Sequence, residues 1–341
     1  MYDYVIITHI PVFYKVNLYN EMAKKLNIFV IFVSDNTNEN RSSDFIKTKD
    51  IEFKYLILSE GNFQSRGQLK NIQKLRKIIN DLEYKRLLVS GWDLIEFWFL
   101  VLTKYKKRNC MALESTVMES STKGLKGLLK KIFLSRVSVV FASGDLHKDL
   151  LLELNYTGQI NITKGVGIIN KPICTQNITE YQKRFIFVGR LSKVKNLEIL
   201  ITIFNKLKDY KLTIIGTGED EQYLKNISNE NIIFKGSIKN EEIKNIYKEN
   251  DIFILPSVSE PWGLVVEEAL YFGLPVIVSQ NCGAVELVEN ERNGYIIKPD
   301  DIKNIKNVIL KINADGYIQL VKEVNKFSIS EKDNIQINSY L

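Results

Sequence analysis

The sequence predicts an α/β protein of two domains, each built on a parallel sheet. Three observations carry this. The chain has 341 residues, too many for one ordinary core and suited to two domains. Short apolar runs of strand length alternate with helix-periodic segments throughout, the pattern of βα units. That pattern then restarts at RFIFVGR, residues 184 to 190, after an aperiodic stretch.

Taken in order, YVIITHI reads as the first strand, VNLYNEMAKKL as a helix and IFVIFVS as the next strand. The opening MYDYVIITHIPVFYKVN lacks the basic region and long apolar core of a signal peptide, so it is expected to be structural. CMALEST is a further strand, ending at Glu114. The stretch KPICTQNITEYQK has no clear period and is expected to link the domains near residues 170 to 183. In the second half FIFVG, KLTIIG, NIIFKG, DIFILP and LPVIVS are the strands, with GYIIK beyond. Four of these end in Gly or Pro, which places Arg190, Gly216, Gly218, Gly236 and the segment 256 to 263 on one rim, the edge where open α/β sheets bind ligands.

Apolar residues make up 45% of the chain and charged residues 26%, an ordinary globular balance. Cys110, Cys174 and Cys282 are widely spaced and only two histidines accompany them, which argues against a zinc site or disulfide framework and suits a reducing cytoplasm. No run approaches the 18 apolar residues of a spanning helix, so membrane contact is expected to be peripheral. The net charge of +7 sits in the first half: residues 1 to 170 hold 25 Lys+Arg against 17 Asp+Glu, the remainder 22 against 23.

Several residues suit anionic ligands. Arg190 and Lys195 lie in VGRLSKVKN between a strand and a helix beginning at Asn196 or Leu197, a seat for phosphate or, alternatively, a solvated loop. GTGED, with Gly216 and Gly218, lets backbone approach a diphosphate or makes a plain tight turn; it is not the dinucleotide fingerprint. In SEPWGLVVEEAL, Pro261 holds Glu260 extended and a helix begins near Gly263. Glu267 and Glu268 differ by about 100° around that helix, so only one can face a cleft squarely. Spacing alone does not say which.

EPWGLVVEE resembles the E-x-F-G-x-x-x-x-E signature of retaining glycosyltransferases of family 4, the large GT-B group. VGRLSKVKN, IIGTGED, FKGSI, GLPVIVS and NGYII match in the right order, while the first half matches loosely through PVFYKVNLYNEM and ALESTVMESS. The resemblance implies two Rossmann-like domains facing each other across a cleft: residues 1–170 for the acceptor, 171–327 for the nucleotide sugar, and a tail, 328–341, crossing back to the first.

It further implies that Glu260 contacts the donor sugar, Glu268 the ribose, and Arg190 with Lys195 the leaving diphosphate. Amides around Trp262, Gly263 and Leu264 would hold sugar and phosphate, and the turn at Gly236 would border the base. Glu267 is then a solvent-side or packing residue. Two fixed cations replace a metal, so none is expected and no cofactor beyond the nucleotide-sugar substrate, a UDP-sugar before GDP-mannose. Where relatives often carry a histidine beside the donor sugar, this chain has Glu114, expected to orient a hydroxyl or stabilise charge. The glycine pair usual in the family's first loop is replaced by HIPVFYKVN.

Tyr14, Lys15 and Trp92 are candidates for the acceptor pocket, with core packing the alternative for Trp92; His9 reads as a satisfied strand-end residue or an acceptor contact. TKGLKGLLKKIFLSR sets Leu125, Leu128, Leu129, Ile132 and Phe133 on one stripe among Lys123, Lys126, Lys130, Lys131 and Arg136. Such a helix packs on a core or lies on anionic lipid. The reading is a hexosyl- or N-acetylhexosaminyltransferase acting on a lipid-linked bacterial surface glycan, O-antigen or capsule, in the cytoplasm or at the cytoplasmic face of the inner membrane. The alternatives are an epimerase of the same fold and a non-catalytic binder. A pI near 9.0 invites nucleic acid, but no nucleic-acid-binding module is readable.

Overall fold

The computed structural model describes residues 1–38, 45–173 and 180–341. Cys174 and the middle of the expected linker therefore lie outside the described residues. The chain divides into two compact units, Met1–Asn170 with Lys332–Leu341, and Lys171–Glu331.

The first unit holds strands β1 (Tyr2–Thr8), β2 (Ile28–Asn36), β3 (Lys54–Asn62), β4 (Tyr84–Val89), β5 (Asn109–Leu113), β6 (Val139–Ala142) and β7 (Gln159–Ile162). Between them run α1 (Phe13–Ala23), α2 (Gln68–Asp81), α3 (Ile95–Thr103), α4 (Gly124–Ser135) and α5 (Asp145–Glu153). All pairings are parallel, in the order β3-β2-β1-β4-β5-β6-β7. Such a sheet is covered on both faces, which is why its central strands are continuously apolar rather than alternating. Residues of β1 divide accordingly: Val5 and Ile7 join one core layer, Tyr4 and Ile6 the other. The order reverses between β1 and β4, where Ile7 pairs with Ile31 on one side and Val89 on the other.

The C-terminal segment completes this unit. Helix α12 (Ile329–Asn338) leads to Tyr340, which stacks on Phe141 at 4.3 Å and accepts the Tyr4 hydroxyl on its carbonyl at 3.0 Å.

The second unit repeats the plan with β8 (Arg184–Val188), β9 (Lys211–Ile215), β10 (Ile232–Gly236), β11 (Ile252–Leu255), β12 (Val276–Ser279) and β13 (Gly294–Ile297). Its helices are α6 (Leu197–Phe204), α7 (Glu221–Asn226), α8 (Asn240–Lys248), α9 (Leu264–Tyr271), α10 (Ile302–Lys311) and α11 (Ala314–Val324). The order β10-β9-β8-β11-β12-β13, again all parallel, reverses between β8 and β11. Each reversal opens a crevice beyond the carboxyl ends of the strands.

Helix α4 departs from expectation. Of the predicted apolar stripe only Phe133 is buried, packed edge-on to Trp98 at 5.0 Å. Leu125, Leu128, Leu129 and Ile132 are 72%, 55%, 43% and 43% exposed. The helix faces the core through Gly127, Phe133 and Leu134 instead. A Cβ at Gly127 would stand 2.1 Å from the Thr122 carbonyl oxygen, so the close approach of the preceding loop needs glycine there.

Candidate functional site

The reversal in the second unit gathers most of the predicted residues. Strand β8 ends at Val188, and the chain passes Gly189 and Arg190 into a single turn, Lys193–Lys195, before α6. Asn196 takes the left-handed conformation at φ 59° and its amide donates to the carbonyls of Pro256 and Pro299, at 3.2 and 2.7 Å. Val258 N–H donates to the Val194 carbonyl at 2.8 Å. The loops after β8 and β11 are thus tied by backbone, and Lys195 Nζ forms an ion pair with Glu260 Oε2. The two side chains are 17% and 13% exposed. Arg190 is exposed in the loop that leads into this turn.

Glu260 is fixed from the other side by β12's loop, its N–H donating to Asn281 and its carbonyl accepting from Gly283 at 3.1 and 2.9 Å. Gly263, at φ +94°, caps α9. A Cβ there would lie 3.0 Å from Cys282 Sγ and 3.2 Å from Glu260 Cγ, so glycine lets the helix start beneath the Glu260 side chain. The first turn of α9, from Leu264, directs its amides back along the loop. Cys282 is buried and its thiol donates to the Trp262 carbonyl at 2.9 Å. Burial first, and then the Glu260 carboxylate, push that thiol well above its ordinary value.

The structure separates the two adjacent glutamates. Glu267 is fully buried and accepts from Trp262 Nε1 at 2.6 Å; Trp262 is itself 2% exposed. Glu267 is therefore the packing carboxylate and not a solvent-side one, and Trp262 contributes backbone to the rim while its ring is interior. Glu268 is half-buried, with Tyr247 Oη 3.3 Å from its Oε2. Tyr247 is inaccessible, stacked on Phe272 at 5.0 Å, and burial and then Glu268 raise its hydroxyl well above the usual value.

Gly216 and Gly218 serve the chain itself. A Cβ at Gly216, φ +124°, would stand 1.9 Å from the Gly189 carbonyl oxygen, and one at Gly218 2.2 Å from that of Leu191. Their missing side chains let GTGED dock on GRL, with Leu191 N–H to Thr217 O and Asp220 N–H to Leu191 O, both 3.0 Å. Gly236, φ +68°, has nothing within 4 Å of its Cβ position.

In the first unit Lys15 and Glu114 also form an ion pair, with side chains 7% and 35% exposed. Lys15 is accordingly interior, beneath Glu114, and does not line an open pocket. Burial alone would lower its ammonium, but Glu114, with the hydroxyls of Tyr19, Tyr14 and Tyr340, more than offsets this and leaves it above the ordinary lysine value. Under Glu114 sits His147, wholly buried, with its pKa lowered to about 4 by burial although the Glu114 and Gly144 backbones bond to its ring. Tyr14 packs edge-on to Phe13 and Phe45. Trp92 is half-buried against the core, its carbonyl accepts Trp98 Nε1 at 2.7 Å, and Lys130 lies 5.1 Å over its ring. Sequence reading did not single out Asp93, whose Oδ2 is 2.7 Å from His9 Nε2; only the fold brings together residues 84 positions apart.

Residues 174–330 match the family described as glycosyl transferases group 1. An uncharacterized glycosyltransferase of Methanocaldococcus jannaschii is 28% identical over 237 residues, 65% of this chain and 58% of the relative. The Escherichia coli UDP-Gal:alpha-D-GlcNAc-diphosphoundecaprenol alpha-1,3-galactosyltransferase is 30% identical over 192 residues, 51% of this chain and 50% of the relative. The chain thus spans about half the length of these two relatives. Among solved structures, Anabaena HepE in complex with UDP and glucose superposes with a TM-score of 0.74 at 14% identity, covering 97% of both chains. The paired parallel α/β sheets are those of the GT-B fold.

Proposed function

We propose that the protein is a retaining, metal-independent glycosyltransferase that moves a hexose or N-acetylhexosamine from a UDP-sugar to a growing, lipid-linked glycan. The observation that carries this is the Lys195–Glu260 pair at the β8/β11 reversal, directly before the N-terminus of α9 and inside the group 1 region. Glu260 takes hydroxyls of the donor sugar. Lys195 has three N–H donors and keeps Glu260 on one while offering the others to the diphosphate. Arg190 and the first amides of α9 add positive potential where leaving-group charge grows, in place before the reaction begins. Glu268 takes the ribose hydroxyls, and Gly236, where no Cβ intrudes, borders the base. Gly216 and Gly218 act through the loop they allow to dock. Glu114, held by Lys15, orients a sugar hydroxyl or stabilises charge.

With the acceptor attacking on the leaving-group side, its proton passes to the departing phosphate oxygen, so no protein base is required. The E. coli relative's donor, a UDP-sugar, and its diphosphoundecaprenol acceptor support the UDP and lipid parts of the reading. The exposed leucines of α4 among Lys123, Lys126 and Lys131 suit a peripheral contact with anionic lipid. Among the described residues no helix is long and apolar enough to cross a membrane.

A thermal-shift screen of UDP- and GDP-sugars tests the donor, because a ligand of the native state raises the melting temperature. Product analysis with an added acceptor then separates transfer from epimerisation. A stabilising GDP-sugar without any UDP effect would overturn the donor choice, and an isomerised nucleotide sugar would overturn transfer. Protein that stays off anionic vesicles at low salt would refute the lipid contact.

A further inference from the structure

The first unit holds a second constellation at its own sheet reversal. His9 follows β1 directly, and Asp93 lies in the loop after β4, the neighbouring strand across the reversal. His9 Nε2 and Asp93 Oδ2 are 2.7 Å apart, and the side chains are 33% and 56% exposed. An exposed pair of this kind adds little to stability. Its surroundings nonetheless hold the imidazole firmly. Phe97, fully buried, meets the ring edge-to-face at 5.3 Å, and Phe63 lies against it at 5.6 Å.

Phe63 is clamped in turn. The Arg66 guanidinium sits 4.1 Å from its centroid and donates to its carbonyl at 3.1 Å. Arg66 makes a two-pronged bond to Glu96, at 2.9 and 3.1 Å, and those side chains are 7% and 0% exposed. Burying such a pair is costly and is no general route to stability. Here it fixes the wall of a surface histidine. Gly91, at φ +115°, leaves room for the Asp93 carboxylate, since a Cβ there would lie 3.0 Å from Oδ1.

We propose that His9 and Asp93 form a hydroxyl-binding dyad for the sugar acceptor, with Arg66 and Glu96 as positioning residues. The chemistry follows from the tautomer. Asp93 can only accept, so it keeps the proton on Nε2 and leaves Nδ1 as an acceptor. Among the described residues no hydrogen bond is made to Nδ1, and it receives one from a hydroxyl of the incoming glycan. Assigning that hydroxyl to the acceptor rests on the transfer reading above, which puts the donor on the second unit.

Nitrogen-15 NMR of the imidazoles tests this in the intact protein at a pH where they are neutral. The chain has two histidines, so His9→Gln assigns both signals. The expected result is an Nε2–H tautomer for His9, with an Nδ1 resonance that moves saturably on addition of methyl α-glucoside, methyl α-galactoside or methyl N-acetyl-α-glucosaminide. Asp93→Leu, which removes the acceptor on Nε2–H, abolishes the response, while Asp93→Glu retains it. An Nδ1–H tautomer in the unaltered protein, no movement with any of the three sugars, or an equal response to glycerol overturns the proposal. Calorimetry with UDP is run alongside. Absence of UDP binding in the unaltered protein defeats the transfer reading, whereas the imidazole result stands or falls by itself.

Discussion

Each unit places a lysine against a glutamate beyond the carboxyl ends of its strands, and the two pairs differ in which partner meets water. In the first unit the cation is interior and the carboxylate is presented, with side chains 7% and 35% exposed. In the second they are nearly even at 17% and 13%. Lys15 carries Glu114 as a fixed support. Lys195, reachable from solvent, can share its donors with an arriving anion. The same two residue types thus give a presented negative charge in one unit and an exchangeable positive charge in the other.

The sharpest way to break this contrast is to remove the exchangeable cation. Lys195→Ala is expected to lower turnover about 100- to 1000-fold, the usual effect of deleting one preorganised donor from a site of developing charge. Glu260→Ala should do similarly by releasing both the sugar and the lysine. Single-turnover assays with saturating UDP-sugar measure this. Retention of more than about a tenth of activity in Lys195→Ala would mean that the leaving group is neutralised elsewhere.

The histidines sharpen the contrast by acid. Both lie in the first unit, and His147 has a pKa lowered to about 4 beneath Glu114. In the unfolded chain the same ring titrates near its ordinary value of about 6.5. Between these values the unfolded state binds the extra proton, so stability is fullest above about pH 6.5 and falls as pH drops toward about 4, by about 3 kcal/mol in all. Below about pH 4 this contribution is flat. Urea titrations should therefore show the first unit losing stability in this window, and His147→Gln should flatten the slope. An unchanged slope in that variant would place the acid sensitivity in another group.

Glu114→Gln should cost about 10- to 100-fold in turnover, the value of a hydrogen bond to a charged group, with UDP affinity unchanged. Lost UDP affinity would instead assign Glu114 to the nucleotide.

The adjacent carboxylates come next. Glu268→Ala is expected to weaken UDP binding about tenfold, or about 1.4 kcal/mol, with the fold intact. Glu267→Ala should leave the Trp262 indole N–H buried without its acceptor and destabilise the protein by about 1–3 kcal/mol. Its cost is read in melting temperature, and the opposite assignment of the two effects would contradict the helix phase.

These two residues also mark the limit of sequence reading. The α/β class and the strand ends were legible because strands buried on both faces must be continuously apolar, and turns at their ends need Gly or Pro. The start of α9 was legible from Pro261 and Gly263. Which of Glu267 and Glu268 is buried depends on a rotation of about 100°, and composition cannot fix it. For Gly216 and Gly218 the sequence left open a ligand's approach or a plain tight turn, and the space is taken by the backbone at 189 and 191. The partnership of His9 with Asp93 was invisible because parallel pairing alone makes them neighbours. In α4 the sequence showed an amphipathic period but not that Gly127, Phe133 and Leu134 would be the buried face.

The smallest effect expected is that of removing metal ions. Other transferases neutralise the diphosphate with a divalent cation held on carboxylates, whereas here Glu260 is already committed to Lys195, and the proposed reading takes the positive charge from Lys195, Arg190 and the start of α9. A chelator should leave turnover unchanged, and added manganese should not raise it. The contrast between the units predicts where a metal effect would first emerge: in Lys195→Ala, where Glu260 loses its cation, a divalent ion gains a carboxylate to bind. Partial rescue of that variant by manganese, with none in the unaltered enzyme, would support lysine standing in the metal's place. Chelator-sensitive activity of the unaltered enzyme, restored by manganese, would instead show that Lys195 holds Glu260 for an ion and that the two pairs are alike in being supports.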